Sequence, residues 1–429
     1  MWKAIPRFQP TTPFPLIFES LFKALFAKNR QGSETRDFES AFARHTGAPA
    51  AVAVSSVRYG LYHTIKHLNL PEGTEVLCGP LNIYPVIETL VLAGLKPVFV
   101  DLQPQTFSLD LEDASTKISA NTRLVFVTHL WGVPNDMAAI MEFCETHSLE
   151  ILEDGSQCLN ATINGKQIGT FGRAGFFSLT FTKTLNTFRG GMAVTKDPEL
   201  ADELRQLTKN TPPAPRKLLV KWVLLELALK LATSRRLFSI FTGPLLSLVR
   251  KLGGSDRMDH RGLGPENRLK EFPPGLRFAF SDIQAHIGIK LLRTLGDEDA
   301  KRRVNAMRYQ ERLEKYAGFR VPREVVGAKG NFWMYTVTLE NPEKLKAHLW
   351  DNYRIDTILP SIDPCHEMPF FEELMTSLPN ASMLARDSLY LPAFPNMKSS
   401  EQEHVIDAVE HYLQEHRSSP LAENFKKGE

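Results

Sequence analysis

Two residues in the 429-residue chain have the types and the placement for covalent carbonyl chemistry, Asp154 and Lys183. An apolar run, Leu149 to Leu152, ends in Glu153 and Asp154, and a loop punctuated by Gly165, Gly169, Gly172 and Gly175 follows. A second run, Ala174 to Phe181, delivers Thr182 and Lys183, and Arg189-Gly190-Gly191 turns the chain into a third run, Met192 to Val194. Short apolar runs bounded by glycine read as buried strands. Both groups therefore stand where strands end, which is where open α/β sheets bind ligands. A lysine flanked by Phe181 and Leu185 is partly desolvated, which lowers its pKa and makes it a nucleophile toward carbonyls. A carboxylate opposite a pyridinium nitrogen keeps that nitrogen protonated, so that the ring draws in electrons. The pair fits pyridoxal phosphate. A surface lysine and a helix-capping aspartate are the alternative that spacing alone leaves open.

The order of the motifs narrows this. EDGSQ (Glu153 to Gln157), the glycine loop, FFSLTFTK (Phe176 to Lys183) and RGG (Arg189 to Gly191) together resemble the DegT/DnrJ-type sugar aminotransferases, pyridoxal phosphate enzymes of the aspartate-aminotransferase-like fold. The resemblance runs through SSVRYGL, PLNIY, KPVFVD, RLVFVTHLWGVPNDM and GLRFAFSDIQAHIG, and reaches ILPSIDPCHEMPFF near the C-terminus. It implies that Lys183 bonds the cofactor and then moves protons, that Asp154 holds the ring nitrogen, and that Gln157 sits beside the phenolic oxygen. It also implies Ser178 on a phosphate oxygen and Tyr84 over the ring face. His129, His366 and Arg189 would stand on the substrate side. Lysine at position 183, where some relatives carry histidine and dehydrate, implies transamination, with glutamate as donor and a keto group on a nucleotide-linked sugar as acceptor.

Three departures from the family pattern stand out. Val57-Arg58 replaces a glycine and a hydroxyl residue at the phosphate turn, Arg189 replaces the glutamate of EGG, and Arg277 replaces an asparagine that reaches the phosphate of a neighbouring subunit. A guanidinium fork suits phosphate, so Arg58 and Arg277 are candidate phosphate ligands, Arg277 across a homodimer with a shared site. Arg58 reads equally as a solvated helix residue, Tyr84 beside Pro85 as core, and His129 as a hydrogen-bonded structural residue.

A formal net charge of +2 provides no dominant basic field, which argues against nucleic acid as partner. Cys78, Cys144, Cys158 and Cys365 form no CxxC pair, so neither a familiar zinc site nor a disulfide framework is expected, and reduced cytosolic thiols are. No GxGxxG follows the first strand, which argues against a nicotinamide enzyme.

Alternation of strands and helices implies an α/β fold, with a mostly parallel sheet covered on both faces. With the resemblance, the expectation is a large domain around a seven-stranded mixed sheet, spanning 32–262, followed by a connecting helix and a small α+β domain over 263–416. A frayed tail, 417–429, ends the chain. Two stretches lie outside the resemblance. FPLIFESLFKALFAKNR in the N-terminal segment 1–31 has helical apolar spacing, and 211–262 adds an apolar, lysine- and arginine-rich helical insertion with two helices meeting near Gly243-Pro244. The first reads as a helix packed on its own chain or on a neighbouring subunit, or as a membrane-surface contact. The second reads as a hairpin lying on a lipid interface or on a neighbouring subunit, which makes 14–30 and 213–252 the candidate membrane contacts. A cytoplasmic protein, peripheral on the inner membrane face under the last reading, and a lipid-linked or long-chain acceptor follow. A membrane-associated binding or regulatory protein without turnover, and a pyridoxal phosphate lyase, are the competing readings.

Overall fold

The runs ending at Asp154 and Ser178 lie side by side as parallel strands, with Asp154 opposite Phe176. They occupy the middle of a seven-stranded sheet ordered Ala50–Val54, Gly191–Thr195, Ala174–Ser178, Glu150–Asp154, Thr122–Thr128, Thr74–Cys78, Leu95–Phe99. Only Gly191–Thr195 runs against the others. In this computed structural model, which describes residues 4–252 and 268–416, the edge strand Ala50–Val54 shows why the runs are continuously apolar. Val52 and Val54 enter one buried cluster while Ala51 and Ala53 enter the other. Side chains alternate across a strand, and helices cover both faces.

A three-stranded antiparallel sheet, Phe319–Arg320, Tyr335–Leu339 and Ser388–Leu391, forms a second layer system with helices Pro342–Tyr353 and Ser399–Glu415. Val52 of the large sheet and Val409 of the last helix share one apolar cluster. The expected boundary at 262/263 and the tail 417–429 fall outside the described residues. Residues 331–334, directly before the Tyr335 strand, form a loop. Phe332 holds a positive φ of 46°, and the loop bonds to the turn after Thr128, with Phe332 N–H donating to Gly132 O and Met334 N–H to Trp131 O.

The first residues strap the two parts together. Ile5 pairs with Ile355 in a parallel bridge, and Arg7 grips Asp356 in a bidentate pair at 2.7 and 2.8 Å. The N-terminal helix Phe14–Phe26 then packs on the inserted helix Arg216–Ala232. Arg216 donates to the carbonyls of Ala24 and Ala27, and Lys230 Nζ donates to Pro10 O at 3.0 Å. The inner sides of both apolar stretches therefore rest on their own chain. The insertion breaks at Thr233-Ser234, not at Gly243-Pro244. A short helix Arg235–Leu237 and a π turn Phe238–Thr242 lead directly into the helix Gly243–Lys251, whose second residue is proline, where no helical N–H is lost.

Arg7 and Asp356 side chains are 8% and 3% exposed. Removing one partner of a buried pair leaves the other charged and unmatched, so Arg7→Ala is expected to cost about 3–5 kcal/mol, read as a lower urea midpoint. A change below about 1 kcal/mol would place this pair with ordinary surface bridges.

Candidate active site

Beyond the carboxyl ends of the central strands lies a cavity of about 470 Å³ whose wall includes both Asp154 and Lys183. Asp154 is positioned by the sheet. Its carbonyl accepts from His129 N–H at 3.1 Å, and its Oδ1 accepts from Ser156 N–H at 2.9 Å. The neighbouring Glu153 turns to the opposite face and gathers three N–H groups, of Gly169, Phe171 and Gly172, at 2.7–2.8 Å. This carboxylate shapes the glycine loop and takes no part in the cavity wall.

Lys183 sits on a loop held from three sides. Its N–H closes a turn onto Thr180 O. Asn186 donates to Phe181 O and, at 2.8 Å, to the buried Glu226 of the inserted helix. Ser281 and Gln284 form a capping box at the start of the helix Asp282–Leu292, and Gln284 Nε2 donates onward to Arg189 O at 2.7 Å. Gly190 turns the loop back with a φ of +106°, and a Cβ there would stand 2.6 Å from the Phe280 ring. The amine lies 3.8 Å from the ring centre of Trp333, whose indole N–H donates to Thr182 O. Burial pushes the Lys183 pKa down to about 8, with Asp154 and Cys158 pulling the other way.

Also on the cavity wall, the helix Val57–His67 begins with Ser56 as cap, its Oγ accepting from Tyr59 N–H. Ser55 Oγ is buried on the same wall with no hydrogen-bond partner among the described residues. Arg58 and Arg189 both border the cavity. Burial lowers the Arg58 pKa, Glu88 opposes that shift, and Arg189 adds to it. An orphan hydroxyl, the N–H groups of a helix start and a guanidinium suit a phosphate. Asp154 and Lys183 suit the ring and aldehyde of the same molecule. The residues present fit pyridoxal phosphate.

Of the residues singled out from the sequence, the cavity brings together Lys183, Asp154, Gln157, Ser178, Val57, Arg58 and Arg189. Gln157 Oε1 accepts from Trp131 N–H, and Ser178 Oγ pairs with Thr180 Oγ1. Four others stand elsewhere. Tyr84 is displaced by one position: Ile83, half exposed, lines the cavity with Asn82, while the Tyr84 ring meets Phe370 edge-on at 5.5 Å. Asn82 Oδ1 holds Ile83 N–H, and Asp363 holds Tyr84 N–H, which fixes that register. His129 is buried behind the sheet end, accepting from Asn135 N–H at Nδ1 and lying 3.5 Å from Glu153. His366 is buried against Ser382 and Glu367, and Ser361 and Ile362 of the same segment reach the cavity instead. Arg277 turns to Glu271 and Phe272 O, whereas Gly275, Leu276 and Phe278 on either side line the wall.

The sequence reading missed Trp333, which follows an unremarkable Asn-Phe pair, and it missed Leu218 and Trp222, which bring the insertion to the cavity. Helical spacing inside the insertion hints at an inner face, but nothing in it says what that face would touch. Among the described residues, no three His, Cys, Asp or Glu side chains are grouped to hold a metal, and all four cysteines are buried and unpaired.

Comparison with known proteins matches residues 21–220 and 248–410 to the model of the DegT/DnrJ/EryC1/StrS aminotransferase family. The unmatched stretch between them, 221–247, lies within the insertion. The spore coat polysaccharide biosynthesis protein SpsC of Bacillus subtilis (strain 168) is 27% identical over 389 residues, covering 88% of this chain and 89% of that protein. The dTDP-4-dehydro-2,3,6-trideoxy-D-glucose 4-aminotransferase of Saccharopolyspora spinosa is 26% identical over 405 residues, covering 91% and 92%. The crystal structure of the aminotransferase TlmJ from Streptoalloteichus hindustanus superposes with a TM-score of 0.74 at 24% identity, over 96% of this chain and all of that one, a likeness of fold.

Between about 8 and the ordinary lysine value of 10.5, the folded protein holds Lys183 neutral while the unfolded chain binds the proton. The unfolded state then carries more protons, so stability rises with pH across that window. The cofactor-free protein should therefore gain stability relative to Lys183→Met between pH 8 and pH 10.5. Parallel urea curves for the two proteins across that range would show an amine already in water.

Proposed function

Because the chain belongs to the DegT/DnrJ/EryC1/StrS aminotransferase family, and is an aminotransferase using an amino donor and a keto acceptor, we propose that its acceptor is a nucleotide-linked keto sugar and its donor glutamate. The observation that carries this reading is a buried lysine and a carboxylate on the wall of one cavity that Arg58, Arg189 and a helix start also line. A sugar nucleotide brings a keto group for amination and a diphosphate for the guanidinium groups. The names of the relatives, one acting on a dTDP-linked sugar and one in coat polysaccharide synthesis, agree with that acceptor.

Pyridoxal 5'-phosphate, when bound, supplies an aldehyde that bonds an amine and a ring that withdraws electrons from the substrate carbon. Asp154 would hold a proton on the ring nitrogen. Ser55, Ser178 and the N–H groups at Val57 and Arg58 would hold the phosphate. Lys183 Nζ, whose pKa burial lowers to about 8, takes the proton from the donor's α-carbon as a general base. It later returns a proton to the carbon that was the acceptor's carbonyl. Trp333, its ring centre 3.8 Å from the amine, excludes water from that side. Arg189 pairs with an anionic group of the substrate, the role its positive charge suits where family members carry glutamate.

The family's shared-site homodimer remains part of this reading, in which Arg277 would leave Glu271 and Phe272 O for a neighbouring subunit's phosphate. A second acceptor class, a lipid-linked or long-chain ketone, is favoured by one observation: Leu218 and Trp222 of the insertion form an apolar part of the wall.

Borohydride treatment of the yellow holoprotein should fix the cofactor on the peptide containing Lys183, and Lys183→Ala should carry none. Glutamate should bleach the yellow protein, and a panel of dTDP- and GDP-linked keto sugars should yield an amino sugar. A yellow protein that no amino donor alters would overturn the reading. Arg189→Glu should raise KM for a sugar nucleotide about tenfold to a hundredfold, the loss of a charge-assisted pairing, with a smaller change in kcat.

A further inference from the structure

We propose that this protein docks on an anionic membrane surface through the outer faces of its N-terminal helix and helical insertion, a property separate from the reaction assigned above. The inserted helix Arg216–Ala232 is two-sided. Leu219, Trp222, Val223 and Glu226 are buried, whereas Lys217, Lys221, Leu224, Leu225, Ala228 and Leu231 are exposed along one stripe. The N-terminal helix packed on it buries Leu16, Ile17 and Ala24 and exposes Phe18, Phe22 and Phe26, the last at 70%. The insertion continues with Ile240 and Phe241 in the π turn and Leu245, Leu248 and Leu252 in and after the next helix, all more than half exposed. Exposed apolar clusters of this extent mark interaction sites in soluble proteins.

Charge decides the occupant. Between residues 212 and 252 the sequence carries eight lysines and arginines against one acid, Glu226, which is buried on Asn186. Lys230 turns inward to Pro10 O and Arg235 pairs with Glu401, which leaves Arg216, Lys217, Lys221 and Arg236 as the exposed cations among the described residues. On the N-terminal helix the sole acid, Glu19, is tied to His286 and Lys290 at 2.7 Å. A second copy meeting this face by a two-fold axis would set like charges against each other. An anionic lipid surface instead neutralises the cations while its interfacial region takes the leucine and phenylalanine side chains, the arrangement of interfacial helices. No described helix is long and apolar enough to cross a membrane, so the contact is peripheral. The same helix presents Leu218 and Trp222 to the cavity, which puts the site within one helix diameter of the lipid.

The test uses the full-length holoprotein and cosedimentation with vesicles of phosphatidylcholine alone or with about one-third phosphatidylglycerol. Binding is expected to the anionic vesicles, to fall steeply between about 50 mM and 500 mM salt as charges are screened, and to be much weaker on the neutral ones. Leu245→Glu/Leu248→Glu and, separately, Lys217→Glu/Lys221→Glu should each lower the partition coefficient at least about tenfold. Both should keep the wild-type melting temperature and visible spectrum, which shows that each variant is folded with its cofactor site intact. Equal pelleting with and without vesicles, or equal binding to neutral vesicles, would overturn the proposal. So would variants that bind vesicles normally but change the sedimentation coefficient, because the face would then join copies of the chain.

Discussion

The molecule is organised around one amine removed from water. Lys183 loses hydration on burial, which disfavours its charged form, while Asp154 restores part of what is lost, and the balance sits near pH 8. Such a balance survives only if the loop cannot swing the amine back to solvent. The sheet end, the capping box at Ser281 and the inserted Glu226 each hold a different part of that loop. Trp333 closes the remaining side from the second part of the chain. Much of the fold thus serves to make one favourable motion, solvation of an ammonium group, unavailable.

The parts legible in the sequence were those written by burial. Continuous apolar runs ending in Asp154 and Ser178 specify parallel strands covered on both sides, and strand ends specify where a ligand sits. Legibility stopped where a side chain's direction depends on partners far away in sequence. Whether Ile83 or Tyr84 faces the cavity is settled by Asn82 and by Asp363, which lies 279 residues from Tyr84. The family resemblance put His129 and His366 on the substrate side, yet each is buried on neighbours that fix it, for His129 the hydrogen-bonded structural role that was its other reading. Trp333 depends on a loop whose positive-φ Phe332 lies against Gly132, and no local pattern announces that approach.

The insertion changes the balance of roles within the fold. Its buried acid braces the lysine loop, its apolar inner residues finish the cavity, and its remaining face meets no part of the described chain. Burial raises the pKa of Glu226, opposed by the hydrogen bond that Asn186 donates and by the charge of Lys230. That carboxyl ties the insertion to the lysine loop, which explains how a stretch outside the family pattern can be joined to the catalytic loop without loosening it.

The strap at Ile5 and Arg7 has a consequence for biosynthesis. Its partners, Ile355 and Asp356, leave the ribosome some 350 residues later, so this stretch emerges long before it can find its place. The phenylalanine-rich helix behind it waits for the insertion, made some 190 residues afterward, and for the helix Asp282–Leu292. The nascent chain therefore carries an unshielded apolar segment through much of its synthesis, a period in which a chaperone is the natural shelter.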